Sequence, residues 1–396
     1  MEDRSNLRGR VMNGNWWRSK KEMDQAQIDF IGLPMEGRYL LSGPPGSGKT
    51  NLLLLRAEVM VGSGEKDILF ITYTRSLADF IRSGAVAKGF VKASQIKTFH
   101  SWLAEYVNLN LGSKVKWSEG DFDDDSRNEA LKNLIAANEA RPSEKMYSAI
   151  FVDEAQDLSV GELTALLELS DKVCICGDER QGIYNQDGMG TAGALGLDTH
   201  RLTRHFRIGQ AIAKVADKLM PPVKRGVTLE STCNYDPTIQ GESSAILHPS
   251  QPRVEQLNKI LELIEVQLDA FPDEAIGIFC PRQEDRLEVK NYLEATQLKG
   301  KLCTHGVDSD ATFSGDALIH IMTLHASKGT EFRCVHIFGA EGLTKFPLRR
   351  TKLIYTGVTR AKTALNVYRC GETTIKVEAA FAKPTLFGLD NLFPDD

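Results

Sequence analysis

The chain has 396 residues, room for about two or three domains of ~150 residues each. Apolar residues make up 42% and charged residues 26%, which fits a folded α/β protein and excludes wholesale disorder. The net charge of −5 excludes a globally basic polyanion binder, so any nucleic-acid contact must be a local basic channel.

No stretch approaches the ~20 consecutive apolar residues of a membrane span. The opening Met1-Glu2-Asp3-Arg4-Ser5 has no apolar signal-peptide core. The cysteines (Cys174, Cys176, Cys233, Cys280, Cys303, Cys334, Cys370) are odd in number and form no C-x-x-C, and several lie in strand-like runs. They read as reduced core thiols, and the histidines show no zinc-ligand spacing. A reducing, cytoplasmic setting is the expectation.

In chain order, residues 1–22 form a basic tail carrying Trp16-Trp17, which pack on the domain or add a nucleic-acid or partner contact. Tyr39-Leu40-Leu41 leads into a glycine-rich turn and a helix over Asn51–Met60. Ile68-Leu69-Phe70-Ile71 is a predicted strand, followed by a helix around Leu77–Ile81. A small helical insertion is expected at about 103–146, with Asp121–Asp125 as a solvated loop. Tyr147–Val152 and Val173–Cys176 are further strands. A second unit, expected over 201–396, has helices at Ile212–Leu219, Val254–Leu268 and Glu284–Leu293. Its predicted strands are Ile276–Phe279, Leu318–Met322 and Val335–Phe338, and 299–317 reads as a loop. Strands alternating with helices imply parallel sheets in two α/β domains, 23–200 and 201–396.

Two motifs carry chemistry. Gly43-Pro44-Pro45-Gly46-Ser47-Gly48-Lys49-Thr50 lies between a strand and a helix, where glycines let backbone N–H groups turn in around phosphate oxygens. Lys49 would bridge the β- and γ-phosphates of ATP, and Thr50 would ligate Mg²⁺. Ile150-Phe151-Val152 then delivers Asp153 and Glu154 to a strand's C-terminal edge, where α/β sheets bind ligands. Asp153 suits Mg²⁺, and Glu154 suits proton abstraction from the attacking water.

The run Asp153-Glu154-Ala155-Gln156-Asp157, together with the phosphate loop, resembles the UvrD/Rep group of superfamily 1 helicases. Further motifs fall in that family's order over residues 23–368. Met23–Gln27 resembles the adenine-reading Q motif, with Gln27 as reader. Thr72-Tyr73-Thr74 and Thr98–Trp102 resemble its first strand-binding motifs. Gly177–Tyr184 resembles motif III, with Gln181 as γ-phosphate sensor. Leu202–Arg207, Thr323–Phe332 and Tyr355–Lys362 resemble motifs IV, V and VI.

The resemblance implies two tandem RecA-like P-loop NTPase domains with ATP and Mg²⁺ in the cleft between them. Arg207 and Arg360 would reach the γ-phosphate from the second half, Lys328 would add a third cation, Gly329 would lie at the nucleotide, Glu331 would contact the ribose, and Phe206 would cover the base. Tyr73, Thr98, His100, Trp102, Tyr184, Thr323 and His325 match positions for single-stranded DNA. Each could otherwise pack at a strand end.

The sequence departs from the family in three ways. Asn185-Gln186-Asp187-Gly188 replaces a Trp-Arg-Gly-Ala stretch, Asn51 replaces an adenine-contacting arginine, and the large accessory domains have no room. The expectation is a compact motor core that is an ATP-dependent helicase or single-stranded DNA translocase moving 3′ to 5′. The alternative is a nucleic-acid-sensing ATPase switch that regulates a partner such as a nuclease, as in repair or phage-defence complexes. RNA as substrate and an inactive homologue are the remaining readings.

Overall fold

The computed structural model describes residues 23–86, 89–115, 124–141, 144–178, 192–222, 227–308, 311, 313, 317–345, 348 and 351–382. Trp16, Trp17, Gln181, Tyr184 and Asn185–Gly188 lie outside them.

Among the described residues two six-stranded sheets are formed, and every strand pairing within them is parallel. The first contains β1 (Arg38–Ser42), β2 (Ile68–Thr72), β3 (Ile96–Thr98), β4 (Ala149–Val152), β5 (Val173–Gly177) and β6 (Asp198–Arg201), in the order β3-β2-β4-β5-β1-β6. The second contains β7 (Ser244–Leu247), β8 (Ile276–Cys280), β9 (Leu302–Thr304), β10 (Ile319–Thr323), β11 (Phe332–Ile337) and β12 (Ala361–Val367), in the order β7-β12-β11-β8-β10-β9.

Period-two alternation explains why the central strands read as unbroken apolar runs. In the first sheet Leu40, Leu69, Ile71, Ile150, Val152 and Ile175 enter one core. Their neighbours Leu41, Ile68, Phe70, Phe151, Cys174 and Cys176 enter another. The second sheet repeats this, with Phe279, Met322, Val335 and Leu365 in one core and Ile276, Ile278, Ile319 and Ile321 in another. Both faces of each sheet are therefore covered. Among the described residues no helix is long and apolar enough to cross a membrane.

Three expectations change. The chain leaves the first sheet later than residue 200: β6 pairs with β1, and Leu202 is buried beside them. The crossing therefore runs through 203–207, inside the motif IV segment. The segment 299–317 contains edge strand β9, which lacks a long apolar run because it has one strand neighbour. Asp124 and Asp125 open the helix Asp124–Glu139 rather than lying in a loop. That helix and Phe99–Leu111 supply Trp102, Tyr106, Ala130, Leu134 and Ala137 to the first core, so the expected insertion is part of the domain.

One buried charge braces the entry to β1. Arg56, 1% exposed, donates to the carbonyls of Ile31 (3.3 Å), Leu33 (3.0 Å) and Pro34 (2.5 Å) and to the Cys174 sulfur (3.0 Å). Its guanidinium also lies 4.9 Å from the Tyr39 ring centre. Arg56→Met keeps bulk but strands these carbonyls without a donor. It is expected to destabilise the protein by about 3 kcal/mol, read as a lower urea midpoint at unchanged slope. An unchanged midpoint would mean that water replaces the guanidinium at no cost.

Candidate functional site

The chain turns sharply after β1. Gly46 (φ 77°) and Gly48 (φ 87°) take left-handed backbone conformations, and Gly48 caps the helix Lys49–Gly62. Backbone N–H groups and the positive helix end thus face the carboxyl edge of the sheet, an arrangement suited to phosphate oxygens. The Lys49 ammonium donates to the carbonyls of Gly43 (2.9 Å) and Pro44 (3.0 Å) within the same loop. Ser47, fully buried, donates its hydroxyl to Pro44 O at 2.8 Å and shapes the turn.

Gln27 is buried against this loop. Its amide donates to Ser47 O (2.9 Å) and accepts from Asp24 N (3.1 Å), closing a capping box on the helix Gln25–Ile31. The side chain expected to read adenine here braces the phosphate loop.

The acidic edge follows β4. Asp153 is 2% exposed, and its Oδ1 accepts from Glu154 N (2.8 Å) and the Cys176 thiol (2.9 Å). The Thr50 hydroxyl bonds the same carboxylate. Burial, reinforced by the Glu154 charge, pushes the Asp153 carboxyl above the usual carboxylate range. Its Oδ2 is buried without a hydrogen-bond partner. A buried, unsatisfied carboxylate oxygen beside a threonine hydroxyl is a hard-oxygen set, and Thr50 and Asp153 therefore fit Mg²⁺.

Glu154 is the one non-glycine residue with positive φ among the described residues (φ 52°). Such a conformation costs about 1–2 kcal/mol and persists where surrounding structure enforces it. Burial would raise the Glu154 carboxyl, but Arg360, Lys49 and Lys328 outweigh it and hold the group below its ordinary value. Glu154 is therefore ionised at neutral pH. Gln156 donates to it and also accepts from Asp178 N (3.3 Å), tying the acidic edge to the end of β5.

The second half brings cations to this edge. Arg360 is 5% exposed and donates to Thr356 O (3.2 Å) and Thr330 O (3.4 Å). Its charge is the strongest of those lowering Glu154. Arg207 lies against the phosphate loop: a Cβ on Gly46 would sit 3.2 Å from the Arg207 Cβ, and Phe206 N donates to Gly46 O at 3.1 Å. Its guanidinium pairs with Glu331, which also faces Lys362 at 3.9 Å. Glu331, expected at the ribose, thus holds Arg207 in this structure. Lys328 crosses to the first half and pairs with Asp157 at 2.5 Å. Gly329 follows with φ 75°, and a Cβ there would lie 2.6 Å from Leu77 Cδ2, so only glycine fits that approach.

The residues expected on a nucleic-acid track divide. Tyr73 and His100 meet edge to face at 5.1 Å, and the Lys328 ammonium lies 5.9 Å from the Tyr73 ring centre. Burial raises the Tyr73 phenol and lowers the His100 imidazole, so both are neutral near pH 7. His325 is exposed on the loop after β10. The Thr98 hydroxyl caps the helix Phe99–Leu111, and the Thr323 hydroxyl accepts from Ala326 N (3.2 Å).

Trp102 is a correction. It is 2% exposed, stacks on Tyr106 at 5.1 Å and donates its indole N–H to Tyr147 at 3.0 Å, so no ring face remains for a base. Sequence reasoning assigned no role to Gln156, Asp157 or Cys176. The first two stand inside the Asp153–Asp157 run, whereas Cys176 is placed beside Asp153 only by the pairing of β4 with β5.

A phosphate loop, an acidic strand end and two parallel-sheet RecA-like domains define a helicase-type P-loop NTPase fold. An AAA domain model matches residues 32–187, and a UvrD-like helicase C-terminal domain model matches residues 318–368. The two models, one in each half, support the likeness to UvrD-like superfamily 1 helicases. No curated protein matches it.

Among solved structures it is similar to the PRRSV helicase, at 14% identity and a TM-score of 0.38, over 87% of this chain and 54% of that one. It is also similar to the C-terminal domain of a possible DNA helicase from Lactobacillus plantarum WCFS1. There the identity is 14% and the TM-score 0.31, over 44% of this chain and 93% of that one. The chain thus spans about half the length of the PRRSV helicase chain.

Proposed function

We propose that this chain is an ATP-driven motor on single-stranded DNA, moving 3′ to 5′ and hydrolysing ATP where its two halves meet. The observation that carries the reading is the meeting of the halves at the acidic edge, where Lys328 of the second pairs with Asp157 of the first and the charge of Arg360 favours ionised Glu154. A hydrolytic centre completed across a domain junction makes closure and nucleotide state interdependent.

Lys49 and the loop amides would hold the phosphates, and Thr50 and Asp153 would hold Mg²⁺, which neutralises phosphate charge when bound. Glu154 would take the proton from the attacking water. Arg360, and Arg207 once released from Glu331, would face the charge that develops on the γ-phosphoryl group. Lys328 bonds Asp157 beneath Tyr73, so the loop that follows β10 touches both the acidic edge and the strand-binding motif. That shared contact is a direct route by which strand binding could alter hydrolysis.

Steady-state ATP hydrolysis with and without single-stranded DNA tests the reading. Single strands are expected to stimulate turnover strongly, and Lys49→Ala to reduce the stimulated rate by about 10²- to 10³-fold. Release of streptavidin from the 5′ but not the 3′ end of biotinylated strands would then report the polarity. Turnover indifferent to DNA would sink the motor and leave an ATPase switch acting on a partner. The helices Phe99–Leu111 and Asp124–Glu139 favour that second reading to one degree, because both pack into the core of the first domain.

A further inference from the structure

One side-chain cluster takes no part in the nucleotide or strand chemistry. Edge strand β9 runs parallel to β10 with Cys303 opposite His320, and His305 follows Cys303 by two residues, returning to the same face. The Cys303 sulfur lies 3.7 Å from His305 Nε2, and that nitrogen lies 3.0 Å from His320 Nδ1. All three ligand atoms fall within 4.8 Å of one another. Cys303 and His305 are each 7% exposed and His320 is 1% exposed.

The geometry points to a zinc-type metal site built from the Cys303 thiolate and the His305 and His320 imidazoles. Tetrahedral zinc, with Zn–S ~2.3 Å and Zn–N ~2.0–2.1 Å, requires N···N of about 3.3 Å and S···N of about 3.6 Å. The observed 3.0 and 3.7 Å lie within a few tenths of an ångström of these, and the third separation is at most 4.8 Å. One sulfur and two imidazole nitrogens select zinc or a similar transition ion over Mg²⁺ or Ca²⁺, which take oxygen. Three protein donors leave a fourth position for water or another small ligand.

The surroundings support a rigid site. The Phe313 ring stacks on His305 and on His320, each at 4.6 Å, and Phe332 lies 5.7 Å from His320. These rings hold the imidazoles in place. Arg286 bonds the His305 carbonyl, and the opposite charge of Asp308 also acts on His305. A metal here would staple edge strand β9 to β10, the strand that leads through Thr323 into the Lys328 loop. The sequence shows no zinc-ligand spacing because the ligands come from two strands aligned only by parallel pairing.

Full-length protein stripped with chelator and titrated with Co²⁺ gives the test. The expected result is a single Co²⁺ per chain with tetrahedral visible bands and a thiolate-to-cobalt charge-transfer band, both displaced by Zn²⁺. Cys303→Ser should lose the charge-transfer band, and Cys370→Ser, at the exposed cysteine, should keep it. Zinc X-ray absorption on unmutated protein needs no variant and should show one sulfur at ~2.3 Å among nitrogen or oxygen neighbours at ~2.0 Å. A colourless titration, a band that survives Cys303→Ser in folded protein, or a sulfur-free zinc shell would overturn the assignment. A metal-free His305–His320 hydrogen bond beside a thiol would then stand in its place.

Discussion

Arg360→Ala is expected to lower the DNA-stimulated turnover of ATP by about 10³-fold or more while nucleotide affinity changes little. A loss of that size is about 4 kcal/mol of transition-state stabilisation. The effect follows from place and preorganisation. Arg360 is buried, its guanidinium is oriented by Thr356 O and Thr330 O, and its charge already reaches Glu154. A cation fixed in advance stabilises developing phosphoryl charge without reorganising when reaction occurs. Arg360→Lys should recover little, because an ammonium cannot satisfy both carbonyls and face the phosphate from the same position. Thermal melting separates catalysis from folding. Turnover within tenfold of the unmutated protein, with an intact fold, would reduce Arg360 to a structural brace of the turn before β12.

Glu154→Gln is the second large effect, with turnover expected to fall by about 10²- to 10⁴-fold and Mg²⁺-dependent nucleotide binding retained. Glutamine keeps the shape and an acceptor for Gln156 but removes the basic oxygen. The metal set, Thr50 and Asp153, is untouched. The charge of Glu154 is held by Arg360, Lys49 and Lys328, so removing it also loosens the tie between the halves. The two losses should therefore not add: Glu154→Gln with Arg360→Ala should be much less damaging than the product of the single effects. Strict additivity would mean that the two residues act on separate steps. Binding measured with a fluorescent nucleotide keeps a loss of chemistry distinct from a loss of affinity.

The contact between Arg207 and Glu331 bears on both results. In this arrangement one of the two family-position arginines is paired with a carboxylate, Glu331, while Arg360 is held by two backbone carbonyls and its charge favours ionised Glu154. The two arginines are thus unequal. Arg360 acts from a buried backbone cradle, and Arg207 can face phosphate only after exchanging its ion-pair partner.

What could be read in the sequence was local. Gly46 and Gly48 announce a turn because few other residues accept positive φ there, and the helix beginning at Lys49 follows from that turn. Val152 followed by Asp153 and Glu154 marks a strand end because burial on both faces requires an apolar run that stops where solvent or ligand begins. The long central strands, the alternation with helices and the class of fold follow from the same short-range rules.

Tertiary structure decided what neighbouring residues in the chain cannot. Edge strands β6 and β9 have one strand neighbour each and carry no long apolar run. Trp102 became a core residue because the helix Asp124–Glu139 closes over the helix that bears it. Gln27 became a brace because Ser47 O offered its amide a partner. Lys328 found Asp157 and Arg207 found Glu331 only when loops from different parts of the chain converged. The physical reason is common to all of these. Backbone conformation and burial pattern are set by residues a few positions apart. The partner of a charge, a hydroxyl or an aromatic face is set by which strands pair, and pairing costs chain entropy that only the assembled core repays.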